Sequence, residues 1–325
     1  MSSAADPSPL ATRKRLHAIV PAGAGHWVGD GFPVRSLFSH DTLRERAGPF
    51  LLLDYAEPHE FAPLEARAAA TTRRGVGPHP HRGFETVTIV FAGEVDHRDS
   101  HGGGGTIGPG DVQWMTAASG LVHEEFHSEA FARRGGTLEM AQLWVNLPAR
   151  DKRHPPRYQS LAAATIPTVA VQDGAGSLRV IAGNHGGARG PARTFTPITL
   201  LDLRLRAGGK VALELPRGHA TLLLLRRGAV ALPGHALPGH ALPVAAAPRL
   251  APLDLAVFER SEPSASSATE TLVLEAQEAS ELLLFDGAPI DEPIVAYGPF
   301  VMNTRAEIVQ AIEDYQAGRM GALAE

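Results

Sequence analysis

Glycine and proline punctuate this chain so densely that its apolar runs stay short: 34 glycines and 26 prolines are spread through 325 residues. Both residues interrupt helices and mark reversals, which favours many short strands joined by tight turns. Between the breakers, apolar and polar residues alternate. Leu201, Leu203 and Leu205 alternate with Asp202, Arg204 and Arg206, and Val211, Leu213 and Leu215 with Ala212 and Glu214. Leu143, Val145 and Leu147 do the same across Gln142, Trp144 and Asn146. Period two is the pattern of a half-buried antiparallel strand, so the expected fold class is all-β. One segment predicts a helix. Thr304 and Glu307 fit a capping box, and Ile308, Val309, Ile312 and Tyr315 follow at helical spacing. Gly318 is placed to end it, with Arg319 complementing the dipole.

A chain of this length is expected to form two domains of roughly 150 residues each. Residues 147–167 carry Pro148, Pro155, Pro156 and Pro167 with a dense run of charge, which reads as a linker. The division then falls between residues 1–149 and 150–325. Residues 231–243 repeat Ala-Leu-Pro-Gly-His and read as a surface loop with His235 and His240 in solvent. The two halves also echo each other. Arg82-Gly83-Phe84-Glu85-Thr86 leads into an apolar run ending at Gly93, and Arg217-Gly218-His219-Ala220-Thr221 into one ending at Gly228. A duplicated unit puts Glu214 and Pro216 where the first half has His79 and His81, so the second half is expected to be a barrel without that metal site.

With no cysteine, disulfides, zinc-thiolate sites, iron–sulfur clusters and thiol nucleophiles are excluded. A net charge of −5 offers no general attraction for nucleic acid or anionic lipid. No stretch approaches the ~20 apolar residues of a membrane span, and residues 1–15 lack the apolar core of a secretory signal. A cytoplasmic monomer is the expectation.

The chemistry is concentrated in two short segments, His79-Pro80-His81 and His123-Glu124-Glu125. Each offers two metal-binding side chains at i and i+2, which share a face on an extended backbone. If the segments face one another, His79, His81, His123 and Glu125 converge on one divalent ion. Three nitrogens and one oxygen suit a divalent ion such as Fe(II), Ni, Mn, Co, Cu or Zn, and leave positions open for chemistry. Continuing the same face past His81 gives Gly83, Glu85, Val87, Ile89 and Phe91, an apolar wall beside the metal. Glu85 is either a further ligand, an acceptor for a ligand imidazole, or a buried charge paired with an arginine. His97 and His101, flanking Asp99, read as structural hydrogen-bonding residues, His127 as a rim residue, and Glu124 as pointing away. The run Gly102 to Gly105 lacks the Lys-Ser/Thr of a phosphate loop, and no Gly-x-Ser-x-Gly elbow is present.

Several of these stretches resemble the pirin family of the cupin superfamily. They are His79 through Thr86, Pro109 through Ala117, Gly120 through Glu125, Gln142 through Leu147, and Tyr297 through Thr304. The resemblance covers nearly the whole chain and is weakest around residues 191–197 and the Ala-Leu-Pro-Gly-His repeat. It implies two packed cupin barrels with a C-terminal helix, and iron on His79, His81, His123 and Glu125 of the first barrel. It also implies one of two roles. The first is a quercetin 2,3-dioxygenase, in which a flavonol and O2 meet at the metal, Glu125 takes the substrate proton, and Val87, Ile89, Phe91 and Met115 line the cavity. The second is a metal- or redox-dependent regulator that acts through a protein partner, a transcription factor or a metabolic enzyme.

Overall fold

The computed structural model describes residues 13–43, 46–65, 73–235, 247–262 and 267–323. His240 and most of the repeat that holds it lie outside these residues. Two barrels fill the chain, each made of one seven-stranded and one four-stranded antiparallel sheet. In the first barrel the small sheet runs Gly75–His81, Leu121–His127, Val95–Asp99, Gly104–Ile107. In the second it runs Lys210–Pro216, Thr269–Ala276, Val230–Ala231, Arg249–Leu250, the same order of connection. The echo in the sequence is therefore a repeat in space. Gly83 and Gly218 take φ of 90° and 82° before their strands, and Gly93 and Gly228 take 82° and 87° after them.

The two seven-stranded sheets pack face to face. Val87, Ile89 and Trp114 of the first barrel are fully buried against Leu222, Leu283 and Phe285 of the second. This seam uses the alternation described above: one face of each strand fills its own barrel and the other fills the gap between barrels. Arg226 adds a cation–π contact to Phe91 across it, 3.3 Å from the ring centroid.

The strand pairing departs from a cut at residue 150 at both ends. Leu16–Val20 pairs with Leu255–Phe258 of the second barrel. Lys14, wholly buried there, donates to the His219 carbonyl at 2.9 Å and lies 3.6 Å from Glu270. The expected linker is likewise structured: Arg157–Leu161 pairs with Val112–Thr116 and extends the first barrel's large sheet. Its prolines flank that strand without interrupting its ladder.

The C-terminal helix, Arg305–Gln316, forms as expected, with the Thr304 side chain accepting from the Glu307 amide. Its apolar face is narrower than the spacing implied. Ile308 and Ala311 are buried with Phe300 and Met302 against the first barrel, while Val309 and Tyr315 are exposed. A short helix at Glu129–Arg134, capped by Ser128, escaped the periodicity reading because six residues carry less than two turns. His235 is a correction. It is buried against Phe258, where burial pulls its pKa down to about 4, because the first copy of the repeat stays on the barrel, with Ala231 paired to Arg249 and the Leu232 amide bonded to the Pro248 carbonyl. Among the described residues no helix is long and apolar enough to cross a membrane.

Candidate metal centre

The site forms where Leu121–His127 lies between Gly75–His81 and Val95–Asp99. On one side His123 stands directly opposite His79. A bulge follows, with Gly77 and Pro78 between the paired residues of one strand where the other has only Glu124. Such an extra residue bends its strand and re-aims nearby side chains. The result is a cluster of imidazoles, with ring centroids 4.2 Å (His79–His123), 4.8 Å (His81–His123) and 4.9 Å (His79–His81) apart.

Glu125 reaches this cluster through His123. The nitrogens of His79, His81 and His123 lie within 4.8 Å of one another, and so do those of His97 and His123 with a Glu125 oxygen. Two donor triads thus share one histidine. The carboxylate of Glu125 is held firmly: Gln113 donates to Oε1 and Gln142 to Oε2, each at 2.9 Å, and Thr88 Oγ1 lies 3.4 Å from Oε1.

These residues fit a cation. Among the described residues, His81 Nδ1 and His123 Nε2 are buried with no hydrogen-bond partner. A buried polar atom left unpaired is costly, and an imidazole lone pair aimed at an ion removes that cost. Burial, reinforced by the neighbouring imidazoles, holds His81 and His123 well below the usual histidine range. Both are therefore neutral at pH 7 and able to donate. His79 Nδ1 lies 2.9 Å from the Gly77 carbonyl, to which it donates, so its lone pair is on Nε2. His79 is only half-buried, and the site meets solvent at this edge.

The apolar wall expected on the face of Val87, Ile89 and Phe91 is elsewhere. The strand ends at His81, Gly83 turns at positive φ, and a new strand begins at Phe84 in the other sheet. Parity restarts there, so Val87, Ile89 and Phe91 line the seam between barrels. Phe84 and Trp144 contact His81 instead, at 5.1 and 5.3 Å between centroids. Met115 is buried next to Tyr158, as a barrel-wall residue should be.

Glu85 shares the outward parity. It accepts from Thr116 Oγ1 at 2.7 Å and lies 3.7 Å from Arg157, which makes it a buried charge paired with an arginine. Burial pushes its carboxyl up to about 7, against the hydrogen bond and the guanidinium. The folded state thus holds a proton that the unfolded chain releases near pH 4.3, and stability falls as pH rises between about 4.5 and 7. Glu85→Gln is expected to be stabilising at pH 8, on the order of 1–3 kcal/mol, and near neutral at pH 4. Denaturant titrations at the two pH values check this, and equal effects at both would contradict it.

Of the remaining candidates, Glu124 points away and pairs with Arg73 and Arg98 at 3.0 and 2.5 Å. His127 is not at a rim: it is buried edge-on against Phe61, with Nε2 2.9 Å from the Gly31 carbonyl. His97 is drawn into the cluster, with Nδ1 3.3 Å from His123 Nδ1. Its signal in the sequence was His97-x-Asp99, a third i, i+2 pair on a neighbouring strand.

Comparison with known proteins agrees with this geometry. The family model for pirin matches residues 31–145, and that for the pirin C-terminal cupin domain matches residues 200–321. A provisionally named quercetin 2,3-dioxygenase of Pseudomonas aeruginosa is 55% identical over 94% of this chain and 98% of its own. A pirin-like protein of Solanum lycopersicum is 37% identical over 90% of this chain and 88% of its own. The solved structure of quercetin 2,3-dioxygenase from Acinetobacter baumannii superposes with a TM-score of 0.85 and 46% identity, covering 96% of this chain and all of that one. With both barrels matched in order along the chain, the protein belongs to the pirin family of two-barrel cupins.

Proposed function

We propose that this chain is a metal-dependent dioxygenase of the quercetin 2,3-dioxygenase type, with His79, His81, His123 and Glu125 holding one divalent ion, Fe(II) foremost. The observation that carries the reading is the meeting of three imidazoles, two with buried unpartnered nitrogens, beside a carboxylate in a fixed orientation. The names of the relatives in Pseudomonas and Acinetobacter support the substrate class. A bound ion supplies Lewis acidity toward a flavonol hydroxyl and the open positions at which substrate and O2 meet.

The chain's own groups do the rest. Glu125 accepts the flavonol hydroxyl proton at Oε2, the oxygen with one recorded donor where Oε1 has two. Gln113 and Gln142 hold that carboxylate in place, so no reorientation precedes the transfer. Phe84 and Trp144 exclude water beside His81 and offer apolar ring surface to a flat substrate. The reaction consumes one O2, opens the flavonol ring and releases carbon monoxide.

The test is to load purified protein with Fe(II) or Ni(II) and follow metal content, quercetin absorbance and carbon monoxide together. One ion per chain with carbon monoxide matching the quercetin consumed is expected. A bound ion without turnover, under any metal, favours the regulatory reading. That reading draws on exposed Tyr297 (68%) and Val309 (55%), which sit on the strand and helix packed against the first barrel.

A further inference from the structure

The mechanism above leaves one buried histidine of the cluster without a task. The His97 ring stacks on Tyr158 at 5.0 Å and 14°, and its Nε2, without a hydrogen-bond partner among the described residues, faces the Asp99 Oδ2 charge at 3.6 Å. Asp99 is itself fixed, since its Oδ1 accepts from the backbone N–H groups of His101 (2.8 Å) and Gly103 (3.0 Å). The glycine run has a purpose here: a Cβ on Gly103 would sit 2.3 Å from Asp99 Oδ2 and 2.6 Å from the Tyr158 side chain.

Donors and acceptors around His97 can be assigned one by one. Gln113 donates from Nε2 to the Glu125 carboxylate at 2.9 Å and accepts at Oε1 from the Tyr158 hydroxyl at 3.2 Å, so its orientation is set. The same Nε2 lies 3.3 Å from His97 Nδ1, and an amide nitrogen only donates. His97 Nδ1 must therefore carry a lone pair, and the ring proton is on Nε2, toward Asp99. His123 Nδ1 lies 3.3 Å from the same nitrogen and, as an N–H, shares that single lone pair with the Gln113 amide. The lone pair of His123 is thereby confined to Nε2, the buried atom with no partner.

We propose that His97 is a positioning residue for the metal centre. It locks the His123 tautomer that presents Nε2 to an ion and, through Gln113, ties His123 to Glu125. The proposal rests on the reading that His123 binds a metal. Metal-bound histidines usually donate their second N–H to a fixed acceptor, and loss of that partner costs about 10–100-fold in affinity. Here the acceptor is another imidazole, backed by a carboxylate.

The tautomers can be read without metal, from the imidazole 15N shifts of the apo protein. His123 is expected as the Nδ1–H form and His97 as the Nε2–H form. Cobalt(II) titration supplies the second readout. His97→Leu is expected to bind cobalt(II) about 10–100-fold more weakly, with displaced visible bands. His97→Gln, which can still offer an amide oxygen to His123, recovers most of the loss. Asp99→Asn turns an NH2 toward the His97 N–H and weakens binding without touching the ring, which keeps the test open if His97→Leu does not fold. Wild-type affinity and spectrum in both His97→Leu and Asp99→Asn, or an Nε2–H His123 in the wild type, overturn the proposal alone. A wild type with the expected tautomers that takes up no cobalt(II) overturns the metal reading and the role of His97 with it.

Discussion

Replacing Glu125 by Gln is expected to lower quercetin turnover by about 10²–10⁴-fold, the usual contribution of a positioned proton acceptor. Metal content under saturating ion should change far less, because His79, His81 and His123 remain. The substitution is close in shape and opposite in hydrogen-bonding capacity. The carboxylate accepts from Gln113 on one oxygen and from Gln142 on the other. An amide at residue 125 has one oxygen, so its NH2 must face one of those two donors. That leaves a buried amide without an acceptor, at roughly 1–3 kcal/mol of stability. Steady-state turnover, metal analysis and a denaturation curve on the same sample separate the two effects. Turnover within a small factor of wild type would remove Glu125 from the proton transfer.

Lys152→Met is expected to destabilise the fold by about 2–4 kcal/mol, chiefly through buried acceptors left unpaired. Lys152 is almost fully buried and, among the described residues, has no carboxylate in hydrogen-bond reach. Its Nζ donates to the Gly83 carbonyl (2.7 Å), Asn146 Oδ1 (2.6 Å) and the Val301 carbonyl (3.0 Å). Burial pulls the Lys152 pKa down to about 7, against the charges of Glu292 and Glu307, and three oxygens match the three N–H groups of an ammonium. The three acceptors come from the turn after His81, the end of the strand Gly136–Asn146 and the C-terminal strand Phe300–Met302. One side chain thus fastens the corner beside the histidine cluster to the strand that precedes the C-terminal helix. The denaturation midpoint measures the loss. An unchanged midpoint would mean that water or a shifted side chain satisfies those oxygens.

Much of the site was legible because its signals are local. His79 and His81, like His123 and Glu125, advertise a shared face through spacing alone, and the structure brings the three imidazoles together. Glu124 points outward by the same rule. The Thr304 cap was also local, set by residues three apart. The misplaced wall has a simple physical origin. Strand parity holds only while a strand continues, and the positive-φ turn at Gly83 resets it. Val87, Ile89 and Phe91 were therefore assigned to the metal's wall when they belong to the seam. Lys152, in a stretch of prolines and charge, reads as solvated linker until the folded chain surrounds it with acceptors. His97 was undervalued for the reverse reason: its pairing opposite Glu125 depends on how two strands slide past one another, which no local pattern records.

By itself, then, the amino-acid order determined what short-range physics can reach: antiparallel strands from period-two alternation, a duplicated barrel from the repeated glycine corners, and a thiol-free donor set from paired histidines. The tertiary structure alone decided which wall those donors face, that Glu125 meets the other imidazoles by way of His123, and that Lys14 crosses into the second barrel. Register and burial are properties of surfaces that meet only after folding. The proton's position on His97 depends on Gln113, His123 and Tyr158, which lie 16, 26 and 61 residues further along the chain.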